Sequence, residues 1–87
     1  MTSEEALQVL FKYKTATEVL RKANEMLTLH PNLKENRTVT QIVVDAAFNM
    51  DQRRLKHLRA VAQVLEMSLI EIKPYLQPNA PSLYIRT

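Results

Sequence analysis

Basic side chains are concentrated in one short stretch of the sequence, FNMDQRRLKHLR, which runs from Phe48 to Arg59. Guanidinium and ammonium groups bind phosphate and carboxylate oxygens through charge-assisted hydrogen bonds. The chemistry predicted for this stretch is therefore recognition of a polyanion. The side chains predicted to make the contacts are Gln52, Arg53, Arg54, Lys56, His57 and Arg59.

The net charge of +3 is unevenly distributed along the chain. Residues 1–50 hold six Lys and Arg against six Asp and Glu, whereas residues 51–87 hold six against three. A local basic excess on a neutral body favours an acidic partner. The competing interpretation is a solvated helix face, which is the usual role of a charge run.

The composition predicts one small all-α domain. The 87 residues include no Gly, no Cys and only four Pro, so tight β-turns, disulfides and thiolate metal sites are not expected. We expect a bundle of four to five helices over residues 1–77 and an extended, Pro-containing tail over residues 78–87. No apolar run approaches the roughly 18 residues of a membrane span, and the acidic N-terminus does not resemble a signal peptide. A cytoplasmic location is the expectation.

Catalytic and metal chemistry are not predicted. The sequence has no Gly-rich phosphate loop, no nucleophile elbow and no base with an orienting partner, so a non-enzymatic protein without a cofactor is expected. His30 and His57 are the only histidines and have no carboxylate pair at ligand spacing, so no metal site is expected.

A helical apolar stripe runs through the first 27 residues. If the helix from Thr2 is unbroken until Pro31, its 26 or so residues span roughly 39 Å. That exceeds the roughly 30 Å of a compact monomer this size, so the stripe predicts a homodimer seam. The alternative is a break at KTATE, where Thr15 and Glu18 have capping-box spacing. The seam residues would be Val9, Tyr13, Ala16, Leu20, Ala23 and Leu27.

Three further helices are predicted after the polar loop PNLKENR. The second helix begins near Thr38 or Thr40 and continues through QIVVDAAF, and a third runs from about Asp51 to Glu66. Ser68 is placed to cap a short fourth helix, which Pro74 bends or ends. The tail carries an apolar Leu83-Tyr84-Ile85 triplet of undetermined role.

Residues 41–58 resemble the helix-turn-helix of Cro- and repressor-type DNA-binding proteins. Asn49 occupies the ninth place, in the turn, where the motif has a positive φ and normally Gly. Asp45 departs from the motif, because the fifth place requires a small residue at the helix crossing. The motif's five apolar places hold Val44, Phe48, Met50, Leu55 and Leu58. The resemblance implies a recognition helix that begins near Asp51 and binds double-stranded DNA.

A second register of the same motif lies further along the chain. The segment AVAQVLEMSLIEI has the motif's apolar spacing, with Ala62 at the small place and Met67 and Ser68 in the turn. Its second helix would offer Leu69, Ile70 and Glu71, none of which can hold a phosphate. This register is therefore expected to support the fold without contacting DNA.

Two functions remain open at this point. The first is a small, dimeric DNA-binding transcription regulator that uses the basic helix for recognition. The alternative is a non-enzymatic protein–protein adaptor or assembly subunit whose basic helix binds an acidic protein surface.

Overall fold

The structure is a computed structural model that describes residues 1–50 and 54–76, with the backbone only for Met50 and Arg54. It confirms the predicted all-α class: the described residues form helices and connecting turns and contain no strand. None of these helices is long and apolar enough to cross a membrane. The α-helices are α1 Ser3–Phe11, α2 Ala16–Leu29, α3 Arg37–Met50, α4 Arg54–Leu65 and α5 Leu69–Ile72, with 3₁₀ helices at Pro31–Glu35 and Lys73–Tyr75.

The predicted long N-terminal helix is wrong, and the alternative break at KTATE is confirmed. The Oγ1 of Thr15 accepts a hydrogen bond from the Glu18 N–H at 3.3 Å, which caps the start of α2. Thr2 and Glu5 form the predicted capping box at the start of α1. Because the chain turns between α1 and α2, the fold fits within a longest extent of 31 Å.

The apolar stripe of α1 and α2, predicted as a dimer seam, packs against the core of the single chain. Ala23 and Leu27 are fully buried in the core of the single chain. The other four predicted seam residues are partly buried and pack against the same core. Two of the six predicted seam residues are therefore enclosed by the chain itself, and the other four are covered by it in part. Those four residues are Val9, Tyr13, Ala16 and Leu20.

Helix α3 lies at the centre of the fold and contacts α1, α2, α4 and both 3₁₀ helices. It begins at Arg37, one to three residues before the predicted start, because Asn36 caps it. The Oδ1 of Asn36 accepts a hydrogen bond from the Val39 N–H at 3.0 Å. The side chains that α3 buries in the core are Val39, Thr40, Ile42, Val43, Val44, Ala46 and Ala47.

The end of α4 lies beside the start of α3. The Nζ of Lys34, three residues before α3, is 2.9 Å from the Oε2 of Glu66, the residue after α4. The two helices are therefore antiparallel neighbours. Glu66 has a φ of 55°, so it adopts the left-handed conformation that favours Gly.

The predicted short helix after Ser68 is confirmed. The Ser68 side chain accepts from the Glu71 N–H, and the Glu71 carboxylate accepts from the Ser68 N–H, which makes a capping box. The helix then tightens into the 3₁₀ helix at Lys73, one residue before Pro74, because Pro cannot continue an α-helical hydrogen-bond ladder. The predicted tail, residues 78–87, lies outside the described residues.

We expect Thr15→Ala to lower the free energy of unfolding by about 1 kcal/mol, because it removes the hydrogen bond that caps α2. Urea denaturation followed by circular dichroism measures the change. Thr15→Asn should keep the cap and most of the stability. Thr28→Ala, on the exposed side of α2, is the control for loss of a threonine away from a cap. Equal stability of Thr15→Ala and wild type would contradict the capping role.

Substitution of Glu66 by a β-branched residue tests the left-handed turn after α4. We expect Glu66→Val to lose on the order of 1–2 kcal/mol more stability than Glu66→Gln, because β-branched residues fit a positive φ poorly. Both variants lose the charge that pairs with Lys34, so the difference isolates the backbone. Thermal unfolding of both variants gives the comparison. A matching loss in the two variants would assign the whole effect to the ion pair.

Candidate nucleic-acid interface

Helix α4 has one face in the core and one face in solvent. Val61 and Leu65 are fully buried, and they lie four residues apart on the core side. Lys56, Arg59 and Gln63 are exposed and follow each other at steps of three and four, so they share the opposite side. The amphipathic pattern of α4 thus fixes a polar, basic face toward solvent.

Two of the predicted contact residues, Lys56 and Arg59, lie on this solvent face. Neither has a carboxylate within ion-pair distance among the described residues. Arg54 begins α4, but its side chain lies outside the described residues, as do Gln52 and Arg53 altogether. We refer to Lys56 and Arg59 together as the α4 basic pair. Both cations are available for a ligand.

His57 was predicted on the exposed side of the helix, and the structure corrects this. Its side chain is only 7% exposed. It lies four residues before Val61, so it shares the core-facing side of α4. The four-residue spacing from His57 to Val61 and Leu65 is a signal in the sequence that places His57 inward. His57 is therefore removed from the candidate interface.

The turn that the first helix-turn-helix register predicted at Asn49 is not observed, and residues 51–53 of that register lie outside the described residues. Helix α3 continues through Asn49 to Met50, so the predicted turn at Asn49 is helical. Asn49 is not among the residues with positive φ, and Glu66 is the one such residue in the described part of the chain. Leu55, which the register requires at the helix crossing, is 56% exposed. Of the other apolar places, Val44 is buried, Phe48 and Leu58 pack against the core, and the Met50 side chain is not described.

In the second register, the structure has α4, a turn at residues 66–68 and the short α5–3₁₀ segment in that order, and we call these three elements the helix–turn–helix unit. With Ala62 at the fifth place, the left-handed residue Glu66 falls at the ninth. Ala62 is buried, as the close helix contact requires. The five apolar places are all buried or packed on the core, and they hold Val61, Leu65, Met67, Ile72 and Tyr75. The basic helix is therefore the first helix of this unit, whereas the sequence had predicted it as the second.

A second group of cations lies where α3 begins. The Arg37 guanidinium carbon is 5.7 Å from the centroid of the Tyr75 ring, which is within range of a cation–π contact. Lys73 lies in the same 3₁₀ helix as Tyr75 and is exposed. Arg37 and Tyr75 are 38 positions apart in the sequence. No local pattern in the sequence predicted that they would meet.

Two apolar side chains at the start of α5 face solvent. Ile70 is 82% exposed, and Leu69 is 37% exposed. Both lie on the second helix of the helix–turn–helix unit, where the sequence had predicted no phosphate contact. Their side chains have no hydrogen-bonding group, so they add apolar area beside the exposed Lys73.

Asp45 occupies a half-buried position on α3, at the place where the first register required a small residue. Its Oδ1 accepts a hydrogen bond from the Gln41 Nε2 at 3.1 Å. Its Oδ2 is buried and has no hydrogen-bond partner. Burial raises the pKa of this carboxyl above its ordinary value of 3.8, and the Gln41 hydrogen bond offsets part of that effect. The ionised carboxylate is therefore less favourable in the folded protein than in water.

Within residues 1–50 and 54–76, no three His, Asp or Glu side chains come together as a metal site. In the described part of α4 and of the Lys73–Tyr75 helix, the charged side chains that are exposed are cations. What this surface can do chemically is bind anions.

We expect Asp45→Ala to stabilise the protein by roughly 1 kcal/mol at pH 7, because it removes an unsatisfied buried oxygen and improves helix propensity. Since the folded pKa lies above the unfolded value of 3.8, ionisation of Asp45 costs stability at higher pH. The stability gained by Asp45→Ala over wild type should therefore shrink as the pH falls toward 3.8. Urea denaturation at pH 7, 5 and 3.5 measures it.

The exposed Glu35→Ala variant is the control for removal of a carboxylate from the same chain. We expect its stability to stay within about 0.5 kcal/mol of wild type at neutral pH. An Asp45→Ala variant that is less stable than wild type at pH 7 would show that the carboxylate makes a favourable contact.

No family model, curated protein or solved structure matches the chain. The function is therefore inferred from the geometry of the α4 basic pair and of the helix–turn–helix unit to which it belongs.

Proposed function

We propose that this protein binds double-stranded DNA through the solvent face of α4, with Lys56 and Arg59 on the phosphate backbone. The observation that carries the proposal is that both cations are exposed on one face of a rigid helix and have no ion-pair partner in the described part of the chain. The sequence places Gln52, Arg53 and Arg54 just ahead of them, which extends the basic run. The helix is anchored through its buried face, so the cations are held in place relative to one another.

The helix–turn–helix unit supports a backbone contact more than a base contact. In such units the first helix crosses the DNA backbone while the second enters the major groove. Here the basic pair lies on the first helix, and contacts to phosphate position a protein without reading sequence. The second helix presents Leu69 and Ile70, which offer no hydrogen bonds to base edges. Binding is therefore expected to tolerate many DNA sequences.

The second candidate function is an adaptor that binds an acidic protein surface. The observation that favours it is the exposed apolar pair Leu69 and Ile70, since apolar side chains supply affinity in protein–protein interfaces. An acidic protein would then cover both the apolar pair and nearby cations. The absence of DNA binding by the folded protein would favour this function.

A role in transcription, a cytoplasmic location and homodimerisation belong to this proposal as predictions from the sequence. The phosphate contacts by Lys56 and Arg59 need one chain only, because both residues lie on the same helix. A pseudo-palindromic DNA target with half-sites about 34 Å apart would require a second copy of the chain.

We expect the double variant Lys56→Ala, Arg59→Ala to lose affinity for a random-sequence DNA duplex pool by about tenfold or more. Fluorescence anisotropy at several salt concentrations gives the affinity and its salt dependence. Each lost phosphate contact should reduce the slope of log affinity against log salt by about 0.9.

The matched control is Lys14→Ala, Arg21→Ala, which removes the same two charges from exposed positions outside α4. It should bind nearly as well as wild type. An equal loss of DNA affinity in the two double variants would show that only the net charge of the protein matters. Failure of the folded wild type to bind DNA at low salt would overturn the proposal.

A further inference from the structure

Arg37 is exposed and is nevertheless held in a defined position. Its guanidinium lies over the Tyr75 ring at 5.7 Å, and the ring belongs to the 3₁₀ helix Lys73–Tyr75. A cation–π contact acts through the charge of the guanidinium and does not occupy its N–H groups as hydrogen-bond donors. The contact with Tyr75 therefore leaves the donors of Arg37 for another partner.

The charge of Arg37 is not neutralised by a carboxylate in the described part of the chain. Lys34, three residues earlier, pairs with Glu66 at 2.9 Å, and its side chain is only 16% exposed. Arg37 and Lys73 have no such partner. Among the described residues, Lys34 thus has a carboxylate partner, whereas Arg37 and Lys73 have none.

The position of Arg37 is also unfavourable for a residue that serves stability alone. Arg37 is the first residue of α3, and the first turn of that helix has no acidic side chain. A cation there opposes the helix dipole, which favours acids at this end. The cation–π contact with Tyr75 offsets part of this cost.

The Arg37 site lies well apart from the α4 basic pair. Helix α3 has 14 residues, so it spans about 21 Å. The end of α4 lies beside the start of α3, as the contact between Lys34 and Glu66 shows, so Lys56 lies toward the opposite end. Two sites this far apart would contact different phosphates of a duplex, because neighbouring phosphates on one strand are only about 3.4 Å apart along the axis.

We propose that Arg37 and Lys73 form a second phosphate-binding site for the backbone of double-stranded DNA, with Tyr75 as the positioning residue for Arg37. The proposal rests on the proposed function, and it adds a contact that the basic run in the sequence did not indicate. Arg37 and Lys73 would contact phosphate directly, and Tyr75 would act through Arg37. The protein would then hold the duplex at two places instead of one.

The test measures the affinity of the full chain for the random-sequence duplex pool across a salt series. We expect Arg37→Ala to weaken binding about fivefold and to reduce the salt slope by about 0.9, as for one lost phosphate contact. Lys73→Ala should act in the same direction. Tyr75→Leu should weaken binding about threefold because it keeps the charge and removes the ring, whereas Tyr75→Phe should bind like wild type.

Lys34→Ala is the matched control, because it removes one charge from the same end of the fold. It should leave the affinity within about twofold of wild type, since Lys34 already has a partner. Melting temperatures of all variants separate loss of contact from loss of fold. Arg37→Lys keeps the charge without the planar group and should recover only part of the affinity.

The outcomes distinguish this proposal from the one on which it rests. In one outcome, wild type binds DNA, the double variant Lys56→Ala, Arg59→Ala loses binding, and Arg37→Ala and Lys73→Ala keep it. That outcome refutes the second site and leaves the proposed function standing. If Arg37→Ala lowers the melting temperature but leaves affinity unchanged at a temperature where it is folded, Arg37 only fastens the 3₁₀ helix to α3. Absence of DNA binding by wild type refutes both proposals.

Discussion

The burial of α3 is the constraint on which the other elements depend. Seven of its 14 residues are fully or almost fully buried, so the helix needs neighbours around most of its circumference. Full burial of a Val or Ile side chain contributes about 1.5–3 kcal/mol, which makes this helix the main source of apolar stabilisation. Helices α1, α2 and α4 and both 3₁₀ helices pack on it. Ala46 and Ala47 are small enough for those neighbours to approach closely.

Helix class and helix starts were predictable because they depend on local chemistry. Thr2, Thr15 and Ser68 each cap a helix through a hydrogen bond to the residue three positions later. The length of the first helix was not predictable, since the apolar stripe continues across Thr15 at an unchanged spacing. A stripe also does not specify what covers it. Here the chain's own core buries Ala23 and Leu27, two of the six residues predicted to meet a second subunit.

The basic face was predictable from residue types, whereas its structural setting was not. The apolar spacing of the motif occurs twice in the sequence. Residues 41–58 and the segment AVAQVLEMSLIEI both have apolar residues at the required places. The difference lies in the backbone: α3 stays helical through Asn49, and the left-handed residue is Glu66. His57 was assigned to the DNA-contacting residues because it lies in the basic run. Its four-residue spacing to Val61 instead places it on the core-facing side of α4. The contact between Arg37 and Tyr75 joins distant positions, so only the folded chain reveals it.

The side chain of Asn36 has two hydrogen-bond partners, one in α3 and one in α1. Its Oδ1 caps α3 through Val39, and its Nδ2 donates to the Ser3 Oγ at 2.8 Å. The two ends of this second hydrogen bond are 33 positions apart. During synthesis, Ser3 therefore leaves the ribosome before Asn36. The hydrogen bond between α1 and the start of α3 can form only after 33 further residues have been added to the chain.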